Sequence, residues 1–227
     1  MNKFVVFTVV TGKEILYDYL LKQNIKLKEE NIDYLLFTNN LNVRSDFFDV
    51  IYIDSDLNDK DLSRDIKINT HKYLDKYDLS LYIDGNVLIK NKLSKIFENN
   101  KNEFEAYYLK GNSIDEGEYI IKHKFSTKDI VKKRLDIYKN DGFDIANSKR
   151  IYGKILMRKN NKTLENFNKQ WYSEYQYVNR DQLAIPYLIS KLNIDINIWG
   201  FWIQNEHFKN YFQVMKINGN VHRHSRS

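Results

Sequence analysis

Residues 79–86 read LSLYIDGN. An apolar run from Leu79 to Ile83 stops at Asp84-Gly85-Asn86. Such a run predicts a buried strand that delivers an acid, a glycine and an amide to its C-terminal end. Three similar runs precede it. Lys3 to Val10 (KFVVFTVV) predicts a first strand ended by Thr11-Gly12, Tyr34 to Thr38 (YLLFT) a second and Asp49 to Ile53 (DVIYI) a third. Between them, Glu14 to Leu21 places Ile15, Leu16, Tyr19 and Leu20 at helical spacing. Ser63 to Tyr73 predicts another helix, with Ser63 as its cap. Strands alternating with helices define an α/β fold with a mainly parallel central sheet flanked by helices on both faces. Ligands of such sheets bind beyond the C-terminal ends of the strands. The polar residues there are Thr8 and Thr11, Thr38 and Asn39, and Asp84 to Asn86.

The second half is less regular. Glu103 to Leu109 and Ile155 to Arg158 predict strands, while Lys128 to Asn140 predicts a helix ended by Gly142. Leu164 to Tyr177 predicts a helix with Trp171 on its apolar face. Asp181 is expected to cap a helix running to Leu192, with Pro186 near its start. No repeat, low-complexity segment or linker interrupts the 227 residues, a length that suits one domain. The chain divides at about residue 100 into a regular half, 1–100, and a less regular half, 101–227, that carries the tail.

With no Cys in the chain, disulfides and thiolate metal sites are excluded. Any metal must take oxygen or imidazole ligands, which favours Mg²⁺ or Mn²⁺. The 17 Tyr and 13 Phe suit stacking on bases and sugars, although many are expected to edge the core. The net charge of +6 is mostly lysine spread among acids, without the basic stripe of a nucleic-acid reader. Met1 to Val10 is too short for a signal peptide, and no apolar run approaches the ~20 residues of a spanning helix. A cytoplasmic protein is expected, with peripheral contact at the inner membrane face left open.

Three clusters could carry chemistry. Asp84 and Asn86 share a face of an extended segment, and a carboxylate with an amide oxygen suits a hard cation bridging two phosphates. The same residues also make an ordinary turn after a strand. In Asn179-Arg180-Asp181-Gln182, Asp181 either caps a helix or faces the cleft as a base or sugar-binding group, with Arg180 near anionic phosphate. In Val221-His222-Arg223-His224, one imidazole could ligate a metal, or the run is a basic tail. His71, His123 and His207 lack partners at ligand spacing. The chain has no Gly-x-Ser-x-Gly elbow, Gly-x-Gly-x-x-Gly loop or Walker loop, which leaves hydrolase, Rossmann and kinase readings without support.

The order of these pieces carries a resemblance. Phe7-Thr8 to Gly12, Leu36-Phe37-Thr38-Asn39, Arg64 to Lys67 with His71, Leu81 to Asn86, Trp171 and Arg180-Asp181-Gln182-Leu183 form a series over residues 3–190. It resembles a glycosyltransferase-like family that includes plant mucilage and pectin-related proteins and bacterial capsular polysaccharide proteins. The resemblance implies the GT-A fold and a metal-dependent, hexosyltransferase-type enzyme with a nucleotide-sugar donor, a UDP-sugar. It implies Mn²⁺ or Mg²⁺ as cofactor and a glycan or lipid-linked glycan as acceptor, in capsular or surface polysaccharide synthesis. Asp84-Gly85-Asn86 takes the place of the family's Asp-x-Asp signature, with Asn86 where the second Asp stands. Residues 1–100 would form the nucleotide-binding half and 101–227 the acceptor-side half with its tail, and by position Thr8 and Thr38 would lie near the base and ribose. Arg64, Lys67 and Arg180 would reach the phosphates or sugar, and Asp84 and Asn86, joined by His222 or His224, would hold the metal. Asp181 would serve as base or touch the donor sugar, and Gln182 would position the donor. Two alternatives remain: a GT-A domain that binds nucleotide or glycan without turnover, and a basic nucleic-acid-binding protein.

Overall fold

The computed structural model describes residues 3–12 and 22–215. The helix expected over Glu14 to Leu21, and both His222 and His224, lie outside the described residues. Seven strands form one sheet: β1 (Phe4–Val9), β2 (Ile32–Thr38), β3 (Asp49–Tyr52), β4 (Leu79–Ile83), β6 (Phe104–Leu109), β7 (Arg150–Lys159) and β8 (Ile196–Phe201). Their order across the sheet is β3-β2-β1-β4-β7-β6-β8. β7 pairs antiparallel with both β4 and β6, and the other pairings are parallel. β5 (Val87–Ile89) leaves this sheet directly after Asn86 and pairs with β9 (Phe212–Val214).

Side-chain alternation builds a core on each face. In β1, Val5, Phe7 and Val9 enter one core with Leu62, Ile66, Trp171 and Leu188, while Val6 and, just past the strand, Val10 enter the other with Leu36, Leu81, Phe97 and Phe208. The first face is covered by α1 (Asp59–Ile68), α4 (Ser113–Lys122), α5 (Lys128–Asn140), α6 (Lys162–Val178) and α7 (Ile185–Lys191). The second carries α3 (Ser94–Glu98), α8 (Glu206–Tyr211) and the β5-β9 pair. Two short helical pieces complete the described elements: a 3₁₀ turn over Ile25–Leu27 and α2 (Thr70–Tyr73).

Two helix starts differ from the sequence expectation. α1 begins four residues before Ser63, because the Asn58 side chain accepts from the Asp61 N–H at 3.0 Å and caps the helix there. Asn69 then separates α1 from α2, so Ser63 to Tyr73 is not one helix. Asp181 does not cap α7 either. That helix starts at Ile185 with Pro186 in its first turn, where the missing N–H costs nothing. β7 is longer than the expected Ile155 to Arg158. Its first half brings Gly153 and Lys154 to the sheet edge at which β1 and β4 end.

Candidate active site

At that edge the chain places a cluster of opposite charges. Asp84 follows the last residue of β4, and its N–H donates to the Lys154 carbonyl at 2.8 Å, continuing the β4–β7 register. The Val87 N–H closes a turn onto the Asp84 carbonyl at 2.9 Å. Gly85 turns without a left-handed backbone, since the glycines at positive φ are Gly12, Gly111, Gly142 and Gly200. The buried Tyr82 hydroxyl donates to Asp84 Oδ1 at 2.7 Å. Burial and the adjoining Asp84 charge push the Tyr82 hydroxyl well above its ordinary pKa, so it stays a donor.

Lys154, absent from the sequence reading, completes this corner. Its Nζ donates to Asn86 Oδ1 at 2.8 Å and lies 3.5 Å from Asp84 Oδ2. Asn86 is buried, its Nδ2 donates to the Met215 carbonyl at 3.0 Å, and its own carbonyl accepts from the Met215 N–H at 2.9 Å. Both side-chain ends of Asn86 are therefore engaged. A divalent cation held between Asp84 and Asn86 would need oxygen contacts of about 2.0–2.2 Å. It would meet the lysine ammonium at the same two oxygens, so these residues as arranged do not fit the expected metal. Among the described residues, no group of three or more His, Asp or Glu side chains forms a ligand set.

The second half of the corner rests on α1. Arg64 and Lys67, one turn apart, both reach Asp181. Lys67 Nζ lies 2.5 Å from Asp181 Oδ2, and Arg64 Nε lies 3.7 Å from the same oxygen. Asp181 is itself positioned by Trp171, whose Nε1 donates to the Asp181 carbonyl at 2.5 Å. Burial opposes the Asp181 charge, but Lys67, Arg64 and Arg180 outweigh it and hold the carboxyl far below the usual range. A carboxylate held this way is a poor proton acceptor near neutral pH. Burial also works against the Arg64 charge, and Asp181, Tyr82 and Asp84 outweigh it, keeping the guanidinium above its ordinary value. Lys67 is 4% exposed and Asp181 3%, against 28% for Arg64 and 32% for Lys154. A ligand could thus touch Arg64 and Lys154, whereas Lys67 and Asp181 are buried.

The remaining expected residues are placed differently. Thr8 and Thr38 are fully buried. Thr38 Oγ1 accepts from the Asn40 N–H at 3.1 Å, and Thr8 Oγ1 has no hydrogen-bond partner among the described residues. Arg180 turns to Glu116, with its Nε 2.9 Å from Oε1, and also donates to Gln182. Gln182 Nε2 donates to the Ile151 carbonyl at 3.0 Å, beside Gly153. A Cβ on Gly153 would lie 3.1 Å from the Gln182 side chain, so the glycine permits this approach. Arg150 shares Glu116 with Arg180, and this buried carboxylate ties β7 to the turn before α7. A glycine and a lysine heading an otherwise apolar run (YGKILM, 152–157) mark where β7 meets the site.

No family model matches the sequence, and no curated protein matches it. Solved structures do. Mouse xyloside xylosyltransferase 1, in its apo form, superposes with a TM-score of 0.51 at 8% identity, covering 86% of this chain and 84% of that one. The apo WbbM bifunctional glycosyltransferase gives 0.50 at 13% identity, over 87% of this chain and 38% of that one. Glycosyltransferase GlyE of Streptococcus pneumoniae TIGR4 gives 0.50 at 13% identity, over 91% and 47%. The chain spans less than half the length of these last two. Likeness at such identities establishes the fold: the chain has the GT-A architecture, a mostly parallel seven-stranded sheet flanked by helices.

Proposed function

We propose that the protein transfers a sugar from a nucleotide-sugar, a UDP-sugar, to the hydroxyl of a glycan or lipid-linked glycan, as in surface polysaccharide synthesis. The observation that carries this reading is the cation-rich corner at the C-terminal edge of β1 and β4. Three cations, Arg64, Lys67 and Lys154, meet two carboxylates, Asp84 and Asp181, which leaves a positive excess where a diphosphate would lie. Preorganised positive charge at a departing diphosphate is the main electrostatic aid such a transfer needs. That glycosyltransferases share this fold supports the reading by analogy.

In this reading Arg64 and Lys154 contact the diphosphate, while Lys67 and Asp181 position Arg64. Gln182 and Gly153 would shape the donor-sugar side. Asp181 is not the base, because its charge is committed to Lys67. The acceptor oxygen then bonds to C1 on the face from which the diphosphate departs with the electron pair of the broken C1–O bond, and the diphosphate takes the acceptor's proton, a retaining course. Release of UDP from a panel of UDP-sugars, with a glycan acceptor supplied, tests this. Turnover that falls at least about tenfold in Arg64→Ala supports it. Donor binding without turnover under any acceptor would favour a binding domain, a reading motivated by Asn86 at the signature position.

A further inference from the structure

Resting on that nucleotide-sugar reading, we propose that the Lys154 ammonium is the resident cation of this site, so the donor diphosphate is held and released without a divalent metal. Asn86 Oδ1 and Asp84 Oδ2, the oxygens a metal would take, face Lys154 Nζ at 2.8 and 3.5 Å. Neither oxygen turns toward it by chance. Tyr82 fixes the Asp84 carboxylate through its other oxygen, and Met215 fixes the Asn86 amide by accepting from its Nδ2. The lysine backbone is anchored as well, because its carbonyl accepts the Asp84 N–H within the β4–β7 register.

The charge count matches a monovalent cation. One carboxylate and one neutral amide suit an ammonium, whereas a divalent ion is better served by two carboxylates. Asn86 is therefore the partner a lysine needs at this position. An ammonium carries three donors. Asn86 takes one and Asp84 lies near a second, which leaves one for a phosphate oxygen at a side chain that is 32% exposed. When the C1–O bond breaks, its electron pair goes to the β-phosphate oxygen. The ammonium hydrogen bond and the Arg64 guanidinium then counter that charge.

Calorimetric titration of UDP and of inorganic pyrophosphate into the full chain tests this, in EDTA and then in Mn²⁺. Wild-type affinity for both probes should agree within about twofold between the two buffers. Lys154→Met should weaken both by about tenfold or more, while Lys154→Arg retains most of the affinity. UDP binding that appears only with Mn²⁺ and survives Lys154→Met would overturn the inference and leave the glycosyltransferase reading standing. Failure of both UDP and pyrophosphate to bind in either buffer would overturn both together. A second arm does not depend on any variant folding well: Mn²⁺ titrated into wild type and followed by its EPR signal. The signal should remain that of free Mn²⁺, and stoichiometric uptake would overturn the inference.

Discussion

At the scale of single residues, Asp181 decides between two kinds of chemistry. Its carboxylate lies 2.5 Å from a buried lysine, and removing one partner of such a pair leaves the other charge buried and unpaired. Asp181→Asn is expected to lose about 3–5 kcal/mol of stability, read by urea unfolding. The double variant Lys67→Met/Asp181→Leu should recover a large part of that loss. The pH dependence follows from the same pair. The folded carboxyl is depressed, so its contribution is present above the unfolded value of about 3.9 and is lost as pH falls below it. Wild-type stability should therefore drop more steeply below about pH 4 than that of Asp181→Asn. For the same reason, the pH profile of kcat should show no Asp181 ionisation near neutrality.

Arg64 is expected to behave otherwise. Its guanidinium is partly exposed and stands 3.7 Å from Asp181. Arg64→Ala should weaken UDP binding by about tenfold, while the unfolding midpoint in urea moves far less than in Asp181→Asn. Asp84, Asn86 and Asp181 are visible in the sequence as polar residues at expected strand or helix ends, and Arg64 and Lys67 enter through the family resemblance. Their pairing is not visible, because Lys67 and Asp181 are 114 residues apart and Asn86 and Lys154 are 68 apart. Nothing local marks contacts of that range.

Among elements, β1, β2 and β4 are legible in the sequence, as is the helix Lys128–Asn140, whereas the starts of α1 and α7 and the parallel strand β8 are not. β1, β2 and β4 are continuous apolar runs buried on both faces, so the pattern stands out. β7 was legible in its second half only, since Gly153 and Lys154 interrupt the apolar pattern where the strand meets the site. α1 opens with Asp59-Lys60-Asp61, and its first apolar residue, Leu62, comes late. The helix signal in the sequence therefore starts at Ser63, although the cap is Asn58. Asn58→Ala should cost about 1 kcal/mol by loss of the hydrogen bond to the Asp61 N–H, while Ser63→Ala should cost much less. Paired thermal melts of the two variants check this. Because α1 carries both Arg64 and Lys67, fraying at its start also loosens the diphosphate corner.

On the scale of the whole molecule, two cores clamp one sheet, and the site sits where the sheet ends rather than in either core. Ligand binding there should stabilise the entire fold by mass action, by about 2.7 kcal/mol at a hundredfold excess over Kd. Among the described residues no helix is long and apolar enough to cross a membrane. The central claim is that a diphosphate is gripped by protein cations at the tip of β4, where the buried Lys67 and Asp181 hold Arg64 in place. A crystal of the full chain soaked with UDP and Mn²⁺ tests it most directly. The account predicts phosphate oxygens within hydrogen-bond reach of Lys154 Nζ and the Arg64 guanidinium, with no metal between Asp84 and Asn86. UDP bound elsewhere, or a manganese ion seated on those two side chains with Lys154 swung away, would contradict it.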